Sequence, residues 1–184
     1  MKLATLVALS VSLLLAGPSW AADWDKITIN DLKGKPLELK KSKVLVVANI
    51  ASRCGYTPQL EELQKLHDKY KAKGLQVVGF PSNDFRQEPL EGEEIAKFCN
   101  LKYNVAFPIT KKGHVKGKEI HPLYQYLTSN AAKKGPVSWN FEKFVVRTSD
   151  GKVVGRFKSG VKPLDTELTK VVEKELAASG KKSH

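Results

Sequence analysis

The sequence is short of thiols, of acid and of repetition. It contains two cysteines, Cys54 and Cys99, and nothing like a C-x-x-C pair, so the motif of a general disulfide oxidoreductase is missing. Its four histidines, His67, His114, His121 and His184, show no ligand spacing and no pairing with cysteine, which argues against a metal centre. There is no phosphate-binding glycine loop, and no cofactor is implied. No internal repeat or low-complexity linker divides the chain. Acidic residues number 19 against 31 Lys and Arg, giving a net charge of +12. The densest basic stretch, 111–118, has no interleaved aromatic residues, so it reads as a solvated loop and not as a nucleic-acid surface. A basic face of this kind can steer acidic partners or make weak contact with an anionic membrane surface.

The composition suits one packed domain: 184 residues, 41% apolar and 27% charged. The first residues read differently. Met1-Lys2 gives a basic start, 3–16 is an apolar run, and Ser19-Trp20-Ala21 supplies the small residues of a cleavage site. Residues 1–21 are therefore expected to be a secretory signal, too short for a membrane span, with cleavage after Ala21 or Ala22. The expected mature domain is 22–184, exported to a periplasmic or secreted location. In an oxidising compartment the two cysteines read either as one structural disulfide or as a redox-cycling pair. Composition leaves both open.

Along the mature chain, 27–39 broken at Lys33-Gly34-Lys35-Pro36 predicts a hairpin. The near-continuous apolar run 43–50 predicts a central strand covered on both faces. Thr57-Pro58 reads as a cap and first-turn proline. Leu60, Leu63, Leu66 and Tyr70 form one helical face that Gly74 ends. A second strand covers 75–80, and a helix over 93–103 carries Ile95, Phe98, Cys99 and Tyr103 on one side. A shorter helix contains Ile120, Leu123, Tyr124 and Leu127. Strands 144–146 and 153–157 flank the turn Ser149-Asp150-Gly151, and a last helix carries Leu164, Leu168, Val171, Val172 and Leu176. The order βαβ, helix, ββα predicts an α/β, thioredoxin-like fold. Its central mixed sheet is flanked by helices and preceded by an N-terminal β-hairpin.

Cys54 falls where the first strand gives way to the first helix. Backbone N–H groups at a helix start lack intrahelical partners and the helix dipole is positive there, which favours a thiolate; Arg53 adds a cation. Chemistry is therefore expected at Cys54.

The segments Asn49-Ile50-Ala51-Ser52-Arg53-Cys54-Gly55-Tyr56-Thr57-Pro58-Gln59, Gly79-Phe80-Pro81-Ser82-Asn83-Asp84-Phe85, Gln87-Glu88-Pro89 and Trp139-Asn140-Phe141-Glu142-Lys143-Phe144 resemble the signature blocks of glutathione peroxidases. The resemblance spans about 24–176, and the chain is similar to the cysteine-using, two-cysteine subtype. It implies a thiol peroxidase. Cys54 matches the peroxidatic cysteine, whose thiolate attacks a peroxide oxygen and becomes a sulfenic acid. Trp139 and Asn140 match hydrogen-bond donors around the sulfur. Cys99 matches the resolving cysteine, which would close a Cys54–Cys99 disulfide for a thioredoxin-like protein or glutathione to reduce. The short stretch between His121 and Trp139 implies a monomer.

One position departs from the pattern. Asp84 stands where the family carries glutamine, in a loop one residue shorter. An aspartate accepts only and would repel a thiolate, so two readings stay open. Asp84 carries the thiol proton to the leaving oxygen as a general acid/base, or it points away and Asn83 or a backbone N–H takes the role. The first is favoured slightly. Two other functions stand beside the peroxidase: a peroxide sensor or disulfide relay that oxidises a client, and a non-catalytic domain stapled by Cys54–Cys99.

Overall fold

The computed structural model describes residues 23–179. The expected signal at 1–21 lies outside the described residues. Four strands, β1 (Val44–Ile50), β2 (Leu75–Pro81), β3 (Lys143–Arg147) and β4 (Val153–Phe157), form one sheet in the order β2-β1-β3-β4. β1 pairs parallel with β2 and antiparallel with β3, and β3 pairs antiparallel with β4. The helices are α1 (Gln59–Tyr70), α2 (Gly92–Tyr103), α3 (Pro122–Asn130) and α4 (Thr166–Ser179). Thioredoxin-like topology is therefore present.

Every residue of β1 is buried, because helices cover both faces of the sheet. Val44, Val46, Ala48 and Ile50 pack with Leu60, Leu63, Leu66 and Tyr70 of α1, Ile95 and Cys99 of α2, and Leu168, Val172 and Leu176 of α4. Leu45 and Val47 face the other layer, with Phe80, Leu123, Tyr124, Leu127 and Trp24. This division follows from the two-residue side-chain period of a strand. α1 runs into a 3-10 turn, Lys71–Lys73, which Gly74 closes at φ 105°, a conformation glycine alone adopts without strain.

The N-terminal hairpin is present in minimal form: an antiparallel bridge, Asn30 to Pro36, flanked by the Asp31 N–H to Lys35 carbonyl and Leu37 N–H to Ile29 carbonyl bonds around a tight turn. Two expectations, the Thr57 cap and the solvated loop, are corrected. Thr57 does not cap α1; its hydroxyl donates back towards the carbonyls of Ala51 and Cys54 and accepts from the Cys54 N–H. The basic stretch 111–118 is not a free solvated loop. Val115 within it is wholly buried, and Gly113 lies against the Phe80 ring.

The topology brings three strand ends together. β1 and β2 are parallel, so their C-terminal ends, Ile50 and Pro81, lie side by side. β3 is antiparallel to β1, so its first residue, Lys143, pairs with Ala48 at that same end. The segments carrying Cys54, Asp84 and Trp139-Asn140 therefore converge on one edge of the sheet.

Candidate active site

Cys54 sits in the tight turn after β1, with 7% of its surface exposed. Its sulfur accepts one backbone hydrogen bond, from the Tyr56 N–H at 3.4 Å. Thr57 holds this turn by bonding both its start and its end, at Ala51 and Cys54. The thiol is free. Tyr56 and Trp139 stand out as exposed large side chains, at 39% and 40%. Ala51, Cys54 and Thr57 are buried, while Arg53, Gly55, Tyr56 and Pro58 of the same turn are exposed, so the sulfur lies just beneath a solvent-facing turn.

Trp139 and Asn140 are held by a residue the sequence reasoning passed over. Asn49 is fully buried near the end of β1. Its amide donates to the Trp139 carbonyl at 3.0 Å, and its Oδ1 accepts from the Glu142 N–H at 3.0 Å. The Asn49 carbonyl accepts from the Phe141 N–H. Phe141 is thereby kept at φ 61°, a left-handed conformation that is costly for a bulky side chain. The available signal was a lone amide in an otherwise Val, Leu, Ile and Ala strand, since a buried amide must find partners.

Asn140 is fully buried and donates its Nδ2 to Gln87 Oε1 at 2.8 Å. Gln87 in turn accepts the Arg53 N–H on its backbone carbonyl at 2.9 Å, one residue from Cys54. The Trp139 ring lies 5.1 Å from that of Phe85, and the Lys116 ammonium lies 4.1 Å above Phe85.

Asp84 belongs to that supporting layer. Its Oδ1 pairs with His114 Nδ1 at 2.7 Å, and its Oδ2 accepts the N–H groups of Val115 and Lys116 at 2.7 and 3.1 Å. Burial pushes its carboxyl up, but the His114 bond and the two backbone bonds outweigh this and hold it below the ordinary carboxylate value. His114 is raised correspondingly by Asp84. This geometry matches the second of the two readings of Asp84, in which it points away: both oxygens are committed to the 111–118 loop, and the group is held as an anion. Asp84 instead pins the loop that sets Lys116 over Phe85, behind Trp139.

Cys99 lies on α2 with 2% exposure and is also a free thiol. It shares the same apolar cluster as Cys54. Burial, and then the neighbouring Glu88 carboxyl, push the Cys99 thiol up to about 12. Glu88 is itself buried and accepts from the Ser52 hydroxyl at 2.7 Å and the Leu90 N–H at 3.2 Å. Burial holds its carboxyl above the usual value despite these bonds. The α2 start is further held by a Glu91–Glu94 capping box and by Lys112, which bonds the Leu90 carbonyl and the Glu91 carboxylate.

Among the described residues no group of three His, Cys, Asp or Glu is arranged to hold a metal, and no helix is long and apolar enough to cross a membrane.

Comparison with known proteins follows the same lines. The family model described as glutathione peroxidase matches residues 24–128. Glutathione peroxidase-like peroxiredoxin 2 of Saccharomyces cerevisiae is 46% identical over 153 residues, covering 78% of this chain and 93% of the relative. Glutathione peroxidase homolog BsaA of Bacillus subtilis is 41% identical over 155 residues, covering 79% and 95%. Among solved structures, Trgpx in apo form superposes with a TM-score of 0.63 at 30% identity, covering 86% of this chain and 96% of that one. A thioredoxin-family thiol:disulfide interchange protein from Chlorobium tepidum, at TM-score 0.60 and 16% identity over 82% and 92% of the two chains, shares the fold.

Proposed function

Because the chain belongs to the glutathione peroxidase family and is a peroxidase, we propose that it works as a two-step thiol peroxidase through Cys54 and Cys99. The observation that carries this reading is the Cys54 sulfur, in a turn held by Thr57, with the Tyr56 N–H directed at it and the Trp139 segment tied to the same β1 through Asn49. The Cys54 thiolate attacks the far oxygen of a hydroperoxide. An S–O bond forms, the O–O bond breaks, and the departing oxygen leaves as water or an alcohol after gaining a proton. Cys54 is then a sulfenic acid. The Cys99 sulfur attacks it, water leaves, and a Cys54–Cys99 disulfide results. A dithiol or two monothiols return both sulfurs to the reduced state.

Each step makes a demand on the fold. Cys99 is buried and held as a neutral thiol, so resolution requires α2 to open locally and bring that sulfur out. Both thiols are free, as the reduced state of this cycle requires. The electron donor in this reading is a thioredoxin-like protein, with glutathione as the competing donor. The protein acts as a monomer in the compartment that the 1–21 signal delivers it to. N-terminal sequencing of the protein from a periplasmic fraction should begin at Ala22 or Asp23.

The decisive assay is peroxide consumption with thioredoxin plus its reductase, or with glutathione. Cys54→Ser should abolish turnover with either donor. Cys99→Ser should abolish the thioredoxin-dependent rate and leave one fast oxidation of Cys54. Rapid oxidation of Cys54 with no turnover by either donor would instead favour a relay to a client protein.

A further inference from the structure

Breaking an O–O bond leaves negative charge on the departing oxygen, and a nearby N–H that already points there lowers the barrier. The hydrogen-bond pattern shows which side chains have one to give. Asp84 has none, and its oxygens are turned to His114, Val115 and Lys116. Asn140 aims its Nδ2 at Gln87. That bond uses the carbonyl oxygen of the Gln87 side chain, and among the described residues its amide N–H₂ has no hydrogen-bond partner, so it is the donor left to give. The Gln87 backbone is fixed to the residue before Cys54 by the Arg53 N–H, and the next residue, Glu88, is fixed to Ser52. Segments 52–53 and 87–88 thus run against each other, and the half-buried Gln87 is tied to the residue before Cys54 by its backbone and to Asn140 by its side chain.

We propose that Gln87 is the side-chain amide donor to the departing peroxide oxygen, and that Asn140 is a positioning residue that orients it; this rests on the peroxidase reading above. The shortened loop explains how Gln87 reaches this place. Arg86 is held at φ 58°, its N–H donates to the Asn83 carbonyl, and the Asn83 side chain accepts the Glu88 N–H. That tight turn sends Asp84 outward to the 111–118 loop and Gln87 inward to Asn140. The amide does not transfer a proton. It donates a hydrogen bond to the alkoxide or hydroxide as it forms, and solvent supplies the proton. Asn140 is fully buried and its Oδ1 has no hydrogen-bond partner, a cost consistent with an amide kept in place to fix its neighbour.

The test isolates the first step in a Cys99→Ser background. Hydrogen peroxide oxidation of Cys54 is timed by stopped flow and compared with its alkylation by iodoacetamide, a reaction in which no oxygen departs. Gln87→Met removes the donor without adding charge. Gln87→Glu keeps the acceptor for Asn140 and guards against a packing defect in the first variant. Both should slow oxidation by about 10²-fold, with alkylation of the Gln87→Met protein unchanged. An equal fall in both reactions, or no fall in oxidation, would overturn the assignment. If the Gln87 parent itself reacts with peroxide no faster than free cysteine, the peroxidase reading fails instead, so the two failures are told apart.

Discussion

Single residues decide where the chemistry sits. Asn49 joins β1 to the Trp139–Glu142 turn through three hydrogen bonds, two of them from its side chain. Asn49→Leu should strand a buried carbonyl and a buried N–H and cost about 2–5 kcal/mol, readable by urea unfolding, with Trp139 fluorescence shifting as its support loosens. Asp84 and His114 give a second residue-level expectation. The depressed carboxyl contributes stability present above its unfolded value and lost as pH falls through the folded one. The raised imidazole contributes stability present below the ordinary histidine value and lost as pH rises through its own. Asp84→Asn should therefore return the His114 midpoint, followed by NMR, to the ordinary histidine range. The peroxide rate should fall less than the factor of about 10² that loss of a proton carrier would cause. The position of Cys54, in the turn after an apolar strand, was legible in the sequence. The direction of Asp84 was not, because its partners, 30 to 32 residues away in sequence, are set by tertiary structure alone.

At the scale of elements, α2 is a core helix and, in the proposed mechanism, the carrier of a sulfur that has to leave the core. Its start is held by Lys112 on Leu90 and Glu91, and by Glu88 on Ser52. Lys112→Met should loosen that end, so disulfide formation after peroxide addition should speed up while oxidation of Cys54 does not; quenched-flow mass spectrometry separates the two. The helices and strands were readable because their periodicity and breakers agree with the tertiary structure. The first hairpin is short, one antiparallel bridge, because its residues alternate weakly and the segment is held largely by Ile29, Leu37 and Trp24 packing. The β3–β4 turn was readable, and Gly151 shows why it needs glycine. It sits at φ 74°, and a Cβ there would come within 2.5 Å of Trp24 and 2.6 Å of the Tyr126 hydroxyl. Gly151→Ala should cost about 1–3 kcal/mol and release Trp24 from Tyr126, seen as a change in near-UV circular dichroism.

Over the whole molecule, the buried thiol of Cys99 links redox chemistry to stability. Unfolded, Cys99 loses its proton near the ordinary value of 9.0; folded, it keeps it until about 12. The unfolded state then binds fewer protons, so stability falls as pH rises through that window, by up to about 1.4 kcal/mol per pH unit from this group. Cys99→Ala should show a shallower loss above pH 9.0. The layered α/β architecture was legible from element order, and the convergence of three segments on one sheet edge follows from it. The amide chain from Arg53 through Gln87 to Asn140 was not, because it depends on side-chain orientation at a turn shortened by one residue. The central claim is that the fold makes the Cys54 sulfur an unusually fast nucleophile towards peroxide. Stopped-flow oxidation of the reduced protein by hydrogen peroxide at neutral pH, with mass-spectrometric identification of the product, tests it most directly. The account predicts a rate constant at least about 10² above that of free cysteine, with a Cys54–Cys99 disulfide as the product; oxidation of Cys54 at the free-cysteine rate would contradict it.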